Sequence, residues 1–293
     1  MGSLLQVVIN GILLGSMYGI AAVGLSLIFG TMRIIFIAQG TMIVFFAYLI
    51  YWAYVKASID PYLSTLWVVP LAFALGLALF YILFRKAAAL EDKNVSLLLA
   101  VGLMYLVENL VLKVWSANPR GLDLSYSGAV IVLGDIRIPA LRLALLGLGV
   151  GSGLVVYLFL KKTRVGTAVR AASEDMEATT IQGINSVWVC GISFAVGIAL
   201  AGVAGVGMAT VYSFDPQFGF IFAIKALVAL ALGGIGNVFG ALAGGLILGV
   251  IENLAAYYVG IEWIEVASYG AFILVLIFLP HGLFGRRGLV EKV

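Results

Sequence analysis

Apolar residues fill this chain in blocks of membrane-spanning length, separated by short polar stretches. A spanning helix needs roughly 20 apolar residues. Runs of that order fall near 5–30, 37–55, 66–84, 95–115, 141–160, 187–211, 219–235, 240–258 and 264–280. The pattern predicts an all-α polytopic membrane protein with eight or nine transmembrane helices. The seventh run is short and ends in glycine, so it either crosses or re-enters.

The longest polar interruption is Lys161–Asn185, KKTRVGTAVRAASEDMEATTIQGIN. Val165, Val169, Ala172 and Met176 recur in it at steps of four, three and four, a narrow apolar stripe on an otherwise polar helix. Held between two spans, such a segment reads as a docking surface. The largest loop on the other side is 116–140. In it Val130–Leu133 and Ile136–Ile138 flank Gly134–Asp135, a loop type that closes β-hairpins. A small extracytoplasmic hairpin is expected, with Arg120, Asp123 and Arg137 as rim charges for a periplasmic partner. A solvated loop that only caps the bundle is the plainer alternative.

Composition sharpens this picture. The chain is 63% hydrophobic and 11% charged, with a mean hydropathy of +1.15, which leaves no length for a separate soluble domain. Residues 1–293 are therefore read as one transmembrane domain. A net charge of +3 gives no electrostatic support for nucleic acid as a partner. Basic residues serve better as topology signals. Arg33, the Arg85/Lys86/Lys93 cluster, Lys161 to Arg170 and Arg286/Arg287/Lys292 fall on one side. Asp60, Asp123, Asp135, Asp215, Glu262 and Glu265 fall on the other. The polar segment and the C-terminus are then cytoplasmic, and an odd number of spans puts the N-terminus outside.

Lone Cys190 and lone His281 exclude a disulfide framework and His- or Cys-based metal chemistry, so no metal or cofactor is expected. The opening MGSLLQ has no positive n-region, and Gln6 stands where a myristoylation signal needs Ser or Thr. No G-x-x-x-x-G-K-[ST] occurs, so the chain has no ATP site of its own. Neither an Asp-rich nor a His/Glu cluster appears, and no catalytic residues are assigned.

Glycines at four-residue steps, Gly11/Gly15/Gly19 and Gly236/Gly240/Gly244 with Gly245 and Gly249, predict close helix packing. Intramembrane polar residues are functional candidates by default. Gln39–Gly40 would break the second span and expose backbone to a cavity, or else Gln39 makes an interhelical hydrogen bond. Glu108 and Asn109 share the fourth span with Lys113, which can snorkel at its end. Glu252–Asn253 lie in the eighth, with a packing hydrogen bond as the alternative for Glu252. These six, Gln39, Gly40, Glu108, Asn109, Glu252 and Asn253, are the substrate-pathway candidates. Tyr48, Tyr51, Trp52 and Tyr54 read as an interface belt.

Four stretches in order carry a resemblance over essentially the whole chain. They are Asn10–Gly30 (NGILLGSMYGIAAVGLSLIFG), Thr163–Asn185, Ala231–Glu252 (ALGGIGNVFGALAGGLILGVIE) and Leu279–Gly285 (LPHGLFG). They resemble the permease subunits of branched-chain amino acid (Liv-type) ABC importers, the smaller of two permease types. The resemblance implies a multi-pass protein of a bacterial or archaeal cytoplasmic membrane, surrounded by lipid. It also implies a second permease subunit, related or identical, two cytoplasmic ATPase subunits and a periplasmic substrate-binding protein.

In that family a cytoplasmic helix docks into a cleft on the ATPase. Glu177-Ala178-Thr179-x-x-x-Gly183 resembles the E-A-A-x-x-x-G core of that motif, with Thr in third place. The expected contact is Ser173–Gly183, with Ser173, Glu174, Asp175, Met176, Glu177, Ala178, Ile181 and Gly183 named. Physical chemistry agrees. An amphipathic helix suits a groove, Gly183 can close it in a left-handed cap, and Glu174, Asp175 and Glu177 suit the start of its second half. An interfacial helix on anionic lipid is disfavoured by those acids.

Two positions depart from the family: Gln39 replaces a common His and Glu108 a common Gln. If both line the pathway, urea, short amides or another small polar solute become alternatives to branched-chain amino acids. A secondary transporter or channel is a second class of reading, and a membrane-embedded enzyme the weakest.

Overall fold

The computed structural model describes residues 2–88, 94–133, 136–234, 236–279 and 281–285. Lys93, Gly134, Asp135, Arg286, Arg287 and Lys292 therefore lie outside the described residues. Helices α1 (Gly2–Met32), α2 (Gln39–Ala57) and α3 (Thr65–Leu79) come first. A π-helical stretch, Phe80–Phe84, carries α3 into α4 (Arg85–Ala88), and α5 (Asn94–Trp115) follows. Strands β1 (Val130–Leu133) and β2 (Ile136–Pro139) pair antiparallel, with Leu133 opposite Ile136, as the hairpin pattern predicts. Then come α6 (Ala140–Lys162), α7 (Arg164–Glu174), α8 (Met176–Ile181), α9 (Ser186–Val211), α10 (Phe218–Gly233), α11 (Val238–Tyr258), a 3-10 turn (Ile261–Trp263) and α12 (Ile264–Phe278).

The loops segregate to two ends. At the hairpin end, Gln6 exchanges hydrogen bonds with the Arg137 backbone at 2.7 Å, and Arg120 and Phe214 pair through their backbones. The Tyr126 hydroxyl donates to Asp60 there. Burial and that carboxylate hold the Tyr126 phenol well above its ordinary pKa. At the opposite end, α7 and α8 gather with Arg33, Arg85 and Ser186. The loop 281–285 hydrogen-bonds there to the end of α10, through the Leu283 and Phe284 amides.

Among the described residues eight helices are long and apolar enough to cross a membrane, which makes this a multi-pass membrane protein. Short α10 also runs from one end to the other, since Phe214 lies at the hairpin end and Gly233 beside Gly240 at the other. Its 16 residues give about 24 Å, less than the roughly 30 Å hydrocarbon core.

Helices α1 and α9 form the hub; nearly every residue of α9 from Val189 to Thr210 is buried. Helix α11 lies against α1 backbone to backbone. A Cβ on Gly15 would strike the Gly245 carbonyl, and one on Gly249 the Gly11 carbonyl. The small-residue spacing thus does what lipid cannot, since hydrocarbon tails give no hydrophobic drive for helix pairing and close van der Waals packing must supply it.

Two expectations are corrected. First, of the two readings of Gln39–Gly40 the break is not found: α2 begins there, and Gln39 makes the interhelical hydrogen bond, to Gly197. The irregular stretch is 33–38, whose Ile34, Phe36 and Ala38 are buried. Phe36 packs edge-on against Phe84 and Phe194. Gln39 sits beside Gly24, eight residues before the end of α1 and so about 12 Å deep. Irregular backbone at this depth is tolerated where protein surrounds it, as it does at Ile34, Phe36 and Ala38. Second, Tyr48 is not in an interface belt. It is fully buried and stacked on Trp115 at 5.3 Å, while Tyr51, Trp52 and Tyr54 are half-buried.

Candidate functional site

The polar segment is two helices rather than one. Thr163 caps α7 by accepting from the Gly166 amide at 2.9 Å. Asp175, with φ −152° and ψ 105°, stops α7 in an extended conformation. Its carboxylate then accepts from the Ala178 amide at 3.0 Å and so caps α8. Gly183, at φ +84°, takes the left-handed turn expected of it, and Asn185 caps α9 through the Trp188 amide.

This break overturns the expected role of the apolar stripe. Val169 and Ala172 are buried within the protein's own bundle, so the stripe seats α7 and is not offered to a partner. Glu174 ends α7, where the helix dipole disfavours a negative charge, so the dipole argument holds for Asp175 and Glu177 only. The outward surface is α8 and the turn after it. Glu177, Ala178, Ile181 and Gly183 are exposed together, and Ile181 is 81% exposed. Ser173, Asp175 and Met176 are half-buried, while Glu174 is exposed on α7. Thr179 faces inward, buried, and its hydroxyl donates to the Asp175 carbonyl at 2.7 Å. The departure in the motif's third place is thus an internal matter. A cavity of about 430 Å³ lies behind α8, with Arg33, Arg85, Glu174, Asp175 and Glu177 in its wall.

The six pathway candidates are not brought together. Gln39 is 0% exposed; its Nε2 donates to the Gly197 carbonyl at 3.1 Å, and its Oε1 has no hydrogen-bond partner among the described residues. Gly40 lies against Gly219 of α10, where a Cβ would fall on the carbonyl oxygen. Glu108 and Asn109 are on the partly exposed face of α5, and Asn109 donates within its own helix to Tyr105 at 2.8 Å. Asn253 likewise donates to Gly249 at 3.0 Å.

Glu252 instead anchors a buried charge cluster. Its Oε1 receives the Lys225 ammonium at 2.9 Å and the Ser268 hydroxyl at 2.7 Å. Its Oε2 receives the Tyr18 hydroxyl at 2.8 Å. Lys225 also reaches the Tyr18 hydroxyl at 3.4 Å, and Tyr212 lies 3.4 Å from the same oxygen. Five residues from α1, α10, α11, α12 and the end of α9 thus meet at one ion pair. An isolated charge in the membrane is expensive, and pairing with full hydrogen bonding removes most of that penalty.

Sequence reasoning missed Lys225. The signal was available: Lys225 is the sole charge in the 219–235 run, and Glu252 is the sole charge in the next. Counting from the Gly233–Gly240 contact, they stand eight and twelve residues away, about 12 and 18 Å along their helices. A lysine side chain spans that difference.

Of the rim charges, Arg120 lies 5.8 and 5.9 Å over the Tyr51 and Trp52 rings. Asp123 and Arg137 are exposed, and Arg137 holds the start of α1 by its backbone. Among the described residues no three His, Cys, Asp or Glu side chains gather as a metal site.

Comparison with known proteins agrees with this architecture. The family model described as branched-chain amino acid transport system / permease component matches residues 7–279. The chain is 32% identical to the high-affinity branched-chain amino acid transport system permease protein BraD of Pseudomonas aeruginosa, covering 99% of this chain and 98% of the relative. It is 30% identical to the corresponding permease protein LivH of Salmonella typhimurium, covering 99% and 97%. Among solved structures, PsaBC from Streptococcus pneumoniae in complex with Fab is similar in fold alone, with a TM-score of 0.52 and 12% identity over 97% of this chain and 94% of that one. Spans, glycine packing and an exposed, capped α8 are thus found in a chain that belongs to the permease-component family of branched-chain amino acid transport systems.

Proposed function

We propose that this chain is the transmembrane permease subunit of an ATP-driven importer for branched-chain or other small amino acids. Its partners are a second permease subunit, two cytoplasmic ATPase subunits that hydrolyse the ATP, and a periplasmic binding protein that delivers substrate at the hairpin end. The α7–α8 end is cytoplasmic and the N-terminus outside. Arg33, Arg85, Lys86, Lys161, Lys162, Arg164 and Arg170 support that orientation, against Asp60, Asp123, Asp215, Glu262 and Glu265 toward the other end.

One observation carries the reading: α8 is a short helix fixed at both ends and presented outward, with an apolar residue, Ile181, at its tip. A fixed helix can transmit a push. When the ATPases close on ATP, force on α8 passes through the Asp175 joint into α7. Through the Asn185 cap it passes into α9, the hub against α1, α2 and α3. Rocking of those helices alternately opens a path between this chain and the second permease. Gln39, deep beside Gly24 and Gly197, is a pathway candidate that touches both hub helices.

The test is reconstitution with the ATPase and binding-protein subunits. Gly183→Val, strained by about 1 kcal/mol or more at its positive φ, should leave a folded complex that hydrolyses ATP without matching uptake. Wild-type uptake by that variant, or failure of the wild-type chain to co-purify with an ATP-hydrolysing subunit, overturns the reading. Ligand binding to the cognate periplasmic protein decides between amino acids and the urea or amide alternative that Gln39 and Glu108 raise.

A further inference from the structure

At the α7–α8 end, a groove of about 360 Å³ runs between the last turn of α6, the outer side of α7 and the turn into α11. Lys161 and Arg170 line it, with Glu174 as the one acid of its wall. Tyr157 and Phe239 form an aromatic side, their rings 4.6 Å apart, and the Lys161 ammonium lies 3.0 Å from the Tyr157 hydroxyl. The aromatic and cationic pair is the composition found where a helix leaves hydrocarbon for headgroups.

The groove does not end at the protein's polar rim. Val150, Leu154, Leu158 and Lys161 follow one another at steps of four, four and three, so they share one face of α6. That face is bare: Leu154 is 50% exposed, and Val150 and Leu158 are exposed with it. From Val150 to Leu158 the stripe rises about 12 Å into the apolar layer. An apolar rail that ends at two cations and two aromatic rings matches one chemistry, a lipid tail beneath an anionic headgroup.

We propose that this groove binds an anionic phospholipid, its phosphate between Lys161 and Arg170 and an acyl chain along Val150, Leu154 and Leu158. Helix α11 begins in the same groove at Val238, capped by the Asn237 side chain, so its dipole adds to the field at the phosphate. Arg170 and Ser173 belong to α7, so a bound lipid braces the helix that carries α8. An acidic side chain of a partner subunit would use the cations but not the rail. A second copy of this chain would use the rail but not the cations.

The experiment is native mass spectrometry of the full chain in detergent, loaded equally with phosphatidylglycerol and phosphatidylcholine, with soluble glycerol phosphate as competitor. It reads lipid retention alone, so its outcome is separate from that of the transport proposal. Phosphatidylglycerol should be retained in preference. Lys161→Gln and Arg170→Gln should each lower its retention about fivefold, the value of one basic residue near an anionic surface. Both side chains are exposed, so the variants should melt like the wild type without lipid. Lys86→Gln, basic, exposed and outside the groove, should change nothing. Equal retention of the two lipids overturns the proposal, as does an equal loss in Lys86→Gln. Competition by glycerol phosphate as strong as by the lipid would assign the site to a free phosphate ester. A photo-crosslinker at Leu158 that captures protein in place of lipid would assign the rail to an interface.

Discussion

Two polar regions of this apolar chain are handled in opposite ways. The Lys225–Glu252 cluster is buried, and both carboxylate oxygens of Glu252 have partners from other helices. Helix α8 also has its backbone ends satisfied, by Asp175 and by the Gly183 turn, but its side chains at 177, 178 and 181 face outward. The difference separates polar residues that hold helices to one another from residues that face outward and, on the proposed function, meet a partner. Breaking the first should cost stability, and breaking the second should cost function at unchanged stability.

The largest effect is expected at the cluster. Lys225→Met leaves the Glu252 carboxylate buried without its cation, which should destabilise the protein by about 3–5 kcal/mol. The companion double variant, Lys225→Met with Glu252→Gln, removes both charges and should recover a large part of that loss. Thermal unfolding in detergent reads both. Additive losses in the double variant would mean that the two residues do not act as a pair.

Next comes Ile181→Asp. An isoleucine buried in a partner's groove is worth about 1.5–3 kcal/mol, so ATPase association should weaken by roughly tenfold or more. The unfolding midpoint of the isolated chain should stay where it is. A shift in that midpoint would place Ile181 in the fold and blur the contrast between the two regions. Asp175→Ala should have a smaller effect, losing a cap worth about 1 kcal/mol. It should appear as faster amide exchange confined to 176–181, with α7 and α9 protected as before. The smallest effect is expected for Gln39→Leu, which gives up one hydrogen bond, about 1 kcal/mol net, and removes an unpaired oxygen at the same time. Its unfolding should hardly change, and altered uptake kinetics would mark Gln39 as part of the pathway. Unaltered kinetics would make it packing.

Much of this contrast was legible in the sequence. Runs of hydrophobic length marked the helices, β-branched residues around Gly134–Asp135 announced the hairpin, and glycine spacing announced close packing of α1 and α11 without naming the helix each would meet. Three features were not legible for identifiable reasons. Amphipathicity tells that Val169 and Ala172 lie on one face, but not whether a partner or the bundle covers that face. The joint at Asp175 looked like one more acid in a polar helix, although Asp with an amide three residues on is an N-cap pattern. The hydrophobic runs left 31–36 between two spans, but they could not tell that Ile34, Phe36 and Ala38 of this irregular stretch are buried in the bundle.

The independence of α8 has a consequence for how such permeases diversify. Six residues are too few to hold helical shape by themselves, and the shape comes instead from the Asp175 cap, the Gly183 turn and buried Thr179. Positions 177, 178 and 181 can then be exchanged as a cassette without disturbing any span. If α8 is the ATPase contact proposed above, a lineage could change which ATPase it recruits by rewriting those outward letters while its membrane portion stays fixed. A chimera that carries another permease's outward residues on this α8 would make that exchange in a single step.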